Sequence, residues 1–210
     1  MAVITPSVTA TTVQEYNQQI ERVAGFANRL HIDVADGVFA PATVPVGQCW
    51  WPVNVMADIH VMYQQPWSQW ESLLSLLPRL IIVHAEAELD DLPAVADELH
   101  TMGIGIGLAL LQPTPVTAID KSWWQFLDHV VIFSGDLGHY GGQADLSLLR
   151  KVAAIRKRRP DIEIGWDGGA HPDNVAELSQ QGIDVITSGG FIQHASSPID
   201  AYVDLAHRCV

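Results

Sequence analysis

LIIVHAEAELDDLPAVADELHTMGIGIGLA, residues 80–109, is the stretch whose pattern decides the fold. It opens on a near-continuous apolar run, Leu80–His84, of strand length and apolar enough for burial on both faces. A helical pattern over Leu92–Met102 follows and stops at Gly103, an ordinary helix-end signal. Gly105–Ala109 then resumes the apolar strand pattern. Toward the N-terminus the same alternation gives strand candidates Val3–Thr5, Arg29–Asp33 and Val55–Met62; toward the C-terminus it gives His129–Phe133, Glu163–Trp166 and Asp184–Thr187. Helical patterns lie among them. Thr12–Phe26 puts Val13, Tyr16, Ile20, Val23 and Ala24 on one face. Leu146–Arg158 ends before Pro160, Pro172–Gln181 carries proline in its first turn and stops at Gly182, and Pro198–Ala206 closes the chain. Eight strands with intervening helices in 210 residues predict a compact (β/α)8 TIM barrel, near the lower size limit of that α/β fold. A doubly wound open sheet competes, but it wants a glycine fingerprint after its first strand, and Pro6-Ser7-Val8-Thr9 is none. No linker or low-complexity tract divides the chain, so one domain over 1–210 is expected.

Composition narrows the classes of function. With 48% apolar and 17% charged residues the chain reads as a protein with a large core rather than as a disordered one. Eleven basic against 24 acidic residues leave a net charge of −13, which argues against nucleic acid as a partner. The one basic run, Arg156-Lys157-Arg158-Arg159, reads as the solvated last turn of a helix. No apolar run reaches the roughly 18 residues of a membrane span, and no basic segment precedes the first apolar residues, so neither a membrane nor a signal peptide is expected. Cys49 and Cys209 form no metal or redox motif. A cytoplasmic location is the expectation.

The polar residues fall where a barrel keeps its chemistry, at the C-terminal strand ends. His31 and Asp33 are two apart and so share a strand face; His60 lies in Asp58-Ile59-His60-Val61-Met62, and Asp167 ends Trp166-Asp167. Two imidazoles and two carboxylates over one barrel mouth suit a Zn²⁺, Fe²⁺, Co²⁺ or Mn²⁺ ion better than Mg²⁺ or Ca²⁺. Gly168-Gly169 after strand seven and Ser188-Gly189-Gly190 after strand eight occupy the usual barrel phosphate position, where backbone N–H groups approach an anion. Plain βα turns are the alternative reading of those glycines.

In order along the chain, these segments resemble the ribulose-phosphate 3-epimerase family. The resemblance rests on His31-Ile32-Asp33-Val34-Ala35-Asp36-Gly37, Asp58-Ile59-His60-Val61-Met62, Tyr140-Gly141-Gly142-Gln143 and Trp166-Asp167-Gly168-Gly169. Echoes occur at Pro6-Ser7, Val83-His84-Ala85-Glu86 and Gly107-Leu108-Ala109. It implies a barrel of ribulose-phosphate-binding type and one divalent metal ion held by His31, Asp33, His60 and Asp167. It further implies that Asp33 and Asp167 serve as the acid–base pair that inverts C3 of a ketose phosphate. Ser7, His60, Gly141, Gly142, Gly168, Gly169, Gly189 and Gly190 are implied to contact the sugar phosphate. The alternatives are another phosphosugar isomerase or decarboxylase on the same barrel, or a non-catalytic phosphosugar-binding barrel. A lysine at a strand end would favour decarboxylation; Lys121, Lys151 and Lys157 instead fall in helical patterns.

The chain departs from the family pattern in three places. Ala35 replaces a methionine, which is expected to enlarge or wet the pocket. Gly190 replaces a serine and its hydroxyl. The 134–143 segment is longer than the family's loop, and its His139 is expected to face solvent. His84 and Glu86 read either as partners that orient a ligand or as a satisfied core pair. Trp50-Trp51 and Trp123-Trp124 are candidates for a contact between subunits of a homo-oligomer. Trp67 and Trp70 have helical spacing and are expected to pack on the barrel.

Overall fold

Each predicted apolar run forms a strand in the computed structural model, which describes residues 1–209; the last residue of the expected domain, Val210, lies outside them. The strands are β1 (Val3–Val8), β2 (Arg29–Ala35), β3 (Met56–Met62), β4 (Leu80–His84), β5 (Gly105–Leu110), β6 (His129–Phe133), β7 (Glu163–Asp167) and β8 (Val185–Ser188). All pair in parallel with their sequence neighbours, and β8 pairs with β1 to close the barrel.

Around it run α1 (Val13–Val23), α2 (Trp70–Leu76), α3 (Leu92–Thr101), α4 (Arg150–Arg158), α5 (Val175–Gln180), α6 (Gly190–Gln193) and α7 (Pro198–Arg208). Thr12 caps α1 by accepting from the Glu15 N–H. The helices differ from expectation for local reasons. Leu146–Leu149 forms a 3-10 turn ahead of α4, and α5 begins at Val175 because Pro172-Asp173-Asn174 make a turn. The β2–β3 and β5–β6 crossovers contain only short 3-10 turns, interrupted by Pro41, Pro45 and Pro52 and by Pro113 and Pro115. Lys121 lies in a turn.

Strand alternation builds two cores. Outward residues such as Leu30, Ile32, Ile59, Ile81 and Val83 join the large core beneath the helices. Inward, Leu80, Ile82, Ala109 and Val131 form a dry layer inside the barrel. Register places Asp33 beside His60 and His31 beside Asp58, so the inward positions of β2 and β3 are polar on either side of that layer. At the N-terminal end the Arg29 guanidinium donates from Nε to Asp58 (2.7 Å) and from Nη1 and Nη2 to the two oxygens of Glu163 (2.9 and 2.8 Å). The basic run is not simply solvated either: Arg156 pairs with Asp184 and Arg159 donates to the Trp124 carbonyl.

The tryptophan expectations divide. Trp124 is buried in the core, which removes it from any subunit surface, whereas Trp50 is 44% exposed. Trp67 and Trp70 meet edge to face against the core, as their spacing suggests.

Candidate functional site

The C-terminal strand ends open into a cavity of about 640 Å³, into which Asp33, Phe133 and Asp167 face. His31, Asp33, His60 and Asp167 converge at its floor: one ligand atom from each lies within 4.8 Å of all the others. His60 Nδ1 is 3.0 Å from Asp33 Oδ1 and 3.5 Å from Asp167 Oδ2, and His31 Nε2 is 3.4 and 3.5 Å from the same two oxygens. Adjacent ligands around an ion with bonds of about 2.1 Å stand about 3.0–3.4 Å apart, so the spacing suits a cation in their midst. His31 Nε2 is buried and has no hydrogen bond of good geometry, although two carboxylates face it.

Electrostatics agree with a place for positive charge. Burial opposes a charged His31 ring, but Asp167 and Asp33 outweigh it and push its pKa up to about 10. Burial likewise opposes the Asp33 carboxylate, yet His31 and His60 hold its carboxyl well below the usual range. Asp33 Oδ2, the oxygen turned away from the rings, accepts from the Thr9 hydroxyl at 2.5 Å. Thr9 lies just beyond β1 in no recognisable motif, and sequence reasoning missed it.

Behind His60 the polar chain continues. His60 Nε2 is 2.9 Å from His84 Nε2, and His84 Nδ1 faces Glu86 Oε2 at 3.4 Å. Both rings are fully buried, and Phe133 packs against them. Burial and the neighbouring His60 push the His84 pKa down to about 4 despite the pull of Glu86.

The glycines have unequal roles. Gly168 (φ +110°) and Gly169 (φ +68°) are left-handed, and side chains there would run into the backbone of Ser134-Gly135 and of Gln143-Ala144. Both therefore permit close passage of the β6–α4 loop, which the plain-turn reading did not contain. A side chain at Gly189 would strike the Ser7 hydroxyl and the Tyr140 ring, so this glycine makes room for protein groups as well as for a ligand. Gly190 opens the four-residue α6 and lines the cavity beside Gly189, whose carbonyl accepts the Ile192 and Gln193 N–H groups. Gly141 and Gly142 line the same cavity with open space beside them. Ser7 also lines it, from within β1 rather than after it.

Tyr140 was expected only as part of a motif. Its hydroxyl accepts from the Thr9 N–H (2.7 Å) and donates to Gln19 Oε1 (2.5 Å), fastening the 134–143 loop to the β1–α1 connection. His139 is exposed and bonded to the Leu137 carbonyl, yet it also lines the cavity rim, as do His171 and His194. The expectation for Ala35 needs correction. Ala35, Ala40 and Met62 are buried together with Phe39 and Leu137 against them, and Ala35 borders a separate cavity of about 620 Å³ with Asp36, Thr43 and Tyr63 rather than the one over the four-residue cluster.

Comparison with known proteins agrees with this geometry. The model of the family described as "Ribulose-phosphate 3 epimerase family" matches residues 3–193. A ribulose-phosphate 3-epimerase of Helicobacter pylori is 29% identical, with 90% of this chain and 89% of that protein covered. One from Mycobacterium leprae is 29% identical over 98% of this chain and 94% of its own length. Among solved structures, 3-keto-L-gulonate-6-phosphate decarboxylase from Vibrio cholerae superposes with a TM-score of 0.71 at 12% identity, covering 99% of this chain and 97% of its own. 3-Hexulose-6-phosphate synthase from Salmonella typhimurium gives 0.68 at 12%, covering 99% and 98%. At those identities the two structures share the barrel only. No helix among the described residues is long and apolar enough to cross a membrane.

Proposed function

The chain belongs to the ribulose-phosphate 3-epimerase family, an isomerase family acting on carbohydrates, and from that premise we propose that it inverts C3 of a ketose phosphate such as ribulose 5-phosphate with the aid of one divalent metal ion. The observation that carries this reading is the convergence of two carboxylates and two imidazoles on one buried point of the barrel mouth.

Inverting a carbon next to a ketone requires removing a proton from one face and returning one to the other. Asp33 and Asp167 reach the cavity from β2 and β7, with β1 and β8 between them. In one direction Asp33 takes the C3 proton and a protonated Asp167 delivers its own to the opposite face; in the other direction the roles exchange, and between turnovers Asp33 releases its proton to solvent and Asp167 regains one, which closes the cycle. The Thr9 hydroxyl fixes the Asp33 plane so that Oδ1 faces inward. His31, Asp33, His60 and Asp167 would hold the ion, and the orphaned His31 nitrogen and the mixed nitrogen and oxygen donor set fit Zn²⁺, Fe²⁺, Co²⁺ or Mn²⁺. When bound, such an ion supplies Lewis-acid stabilisation of the negative charge that develops on the substrate oxygens. The phosphate is taken up by backbone donors around Gly169, Gly189 and Gly190, with Gly141 and Gly142 covering the sugar. Tyr140, fastened to Thr9 and Gln19, holds that cover in place.

Decarboxylation on the same barrel is the competing chemistry, and the lysines disfavour it. Lys151 donates to the Leu111 carbonyl from α4 and does not line the cavity. Incubating the metal-reconstituted protein with ribulose 5-phosphate and following the mixture by NMR tests the proposal. Appearance of xylulose 5-phosphate up to equilibrium supports it; an unchanged ketose, or one that loses a carbon, refutes it.

A further inference from the structure

We propose that His194 is a substrate-binding residue that donates a hydrogen bond from Nδ1 to the phosphate of the ketose phosphate across the bare face of Gly190. The proposal deepens the functional reading above and takes the identity of the ligand from it, but it does not involve the four-residue cluster.

The local sequence places the ring. His194 directly follows the four-residue α6, and its backbone N–H donates to the Gly190 carbonyl at 3.0 Å. Residues four apart on a helical turn share a face, so the imidazole stands beside a position that has no side chain. The ring also meets the Tyr140 ring edge to face, with centroids 5.7 Å apart, and it lines the cavity from the exposed rim.

The glycines of the barrel mouth separate by what a side chain would meet. At Gly168, Gly169 and Gly189 a Cβ would run into protein atoms, so those faces are already filled. At Gly190 the nearest atoms to such a Cβ are Tyr140 Cβ at 3.5 Å, the Gly141 backbone nitrogen at 3.7 Å and His194 Nδ1 at 3.7 Å. The space beside Gly190 is therefore open to a ligand atom, and two of the three groups that border it carry nitrogen donors. Gly141 and Gly142 are open as well, but nothing lies within 4 Å of a Cβ there. An N–H reaches its acceptor at about 2.9 Å, so an oxygen seated just outward of the Gly190 Cβ position meets both nitrogens.

The donors are fixed and their chemistry is that of an anion site. Thr9 and Gln19 anchor the Tyr140 hydroxyl, which holds the neighbouring Gly141 N–H in place. Asp173, a carboxylate of the same rim, faces His171 Nδ1 at 3.2 Å. An imidazole in contact with water exchanges its tautomers, so a bound oxygen selects the form with hydrogen on Nδ1. Thr187 pairs with Asp167, and Gly190 follows three residues later, at most about 10 Å of extended chain away. That places the donors at the phosphate end of a substrate whose C3 lies by Asp167. The serine of the family pattern would put its hydroxyl into this space; in this chain His194 supplies the donor.

The experiment compares wild type with His194→Phe, which keeps the ring against Tyr140 and removes the donor, and His194→Asn, which loses the ring and keeps an N–H at the distance of Nδ1 from the backbone. Titration of the full chain with inorganic phosphate is followed at the Gly141 amide in ¹H–¹⁵N spectra, and kcat and KM are measured with ribulose 5-phosphate. Phosphate should shift the Gly141 amide in wild type. Its Kd should rise about 10-fold in His194→Phe and much less in His194→Asn, as expected for one hydrogen bond to a charged group. KM should follow the same order and rise more than kcat falls. A packing role predicts the reverse order, because phenylalanine preserves the ring. Phosphate that leaves the Gly141 amide unmoved, a His194→Phe that binds it as wild type does, or a His194→Asn that loses as much as His194→Phe overturns the proposal. A wild type that shows the phosphate effects yet inverts no ketose phosphate refutes the functional reading and leaves the His194 contact standing.

Discussion

Replacing Arg29 by methionine separates the stabilising end of the barrel from its chemical end. Arg29 is buried at the N-terminal end, where it pairs with Asp58, whose side chain is 2% exposed, and makes a two-bond contact with Glu163. Methionine keeps the stem and removes the charge, leaving both carboxylates short of donors. Breaking a buried pair by deleting one partner costs about 3–5 kcal/mol. Arg79 stays within 3.1 Å of Asp58 and 3.3 Å of Glu163, so the lower end applies, about 3 kcal/mol. For a chain of this size that lowers Tm by about 6–12 °C. The pH dependence has a definite sign. Burial opposes the Glu163 charge, but His129 and Arg29 outweigh it and hold its carboxyl far below 4.5, its ordinary value. A depressed carboxyl contributes stability above its unfolded value and loses it as pH falls toward the folded one. The gap between wild type and Arg29→Met is therefore full at pH 7 and narrows below about pH 4.5. Urea unfolding at pH 7 and at pH 4 measures it, and kcat at 25 °C should be unchanged, since the residue lies at the end opposite the cavity. A loss under 1 kcal/mol at pH 7, or a gap that widens on acidification, refutes the reasoning.

Three further outcomes follow from the mouth of the barrel. Metal reconstitution should give about one divalent ion per chain by elemental analysis, and His60→Ala should lower it; a stoichiometry far below one that His60→Ala leaves unchanged removes the site. Tyr140→Phe deletes two hydrogen bonds of about 0.5–1.5 kcal/mol each, so amide exchange in residues 138–142 should quicken about 5–150-fold, and unchanged exchange refutes the anchoring. Gly189→Ala drives a methyl group into the Ser7 hydroxyl and the anchored Tyr140 ring, so Tm should fall and apparent KM should rise more than kcat falls; a fall in kcat alone takes Gly189 out of binding.

What the amino-acid order reveals depends on how local each feature is. The strands were legible because burial on both faces writes continuous apolar runs such as Leu80–His84. His31, Asp33, His60 and Asp167 stood out because a polar side chain inside such a run is costly without a purpose. Thr9 did not stand out, since its importance comes from meeting Asp33 of the next strand, and a threonine after a strand is ordinary. Tyr140 was visible as a motif residue, but its anchoring depends on Thr9 and Gln19, more than a hundred residues earlier. The apolar cluster at Ala35 likewise needs Met62, Phe39 and Leu137, brought together only by the closed barrel. The missing crossover helices could have been read from the prolines at 41, 45 and 52 and at 113 and 115, because proline at such spacing interrupts the turns.

Deuterium entry at C3, followed together with inversion, tests the two-carboxylate account most directly. Metal-loaded wild type in D2O should place deuterium at C3 of ribulose 5-phosphate in step with formation of its epimer. Asp167→Asn keeps the shape but cannot take a proton, so inversion should fall by at least about 10²-fold. Asp33 remains, and exchange at C3 of one epimer should persist without inversion. A folded, metal-loaded Asp167→Asn that inverts at the wild-type rate, or a wild type that inverts without taking up deuterium, contradicts the account.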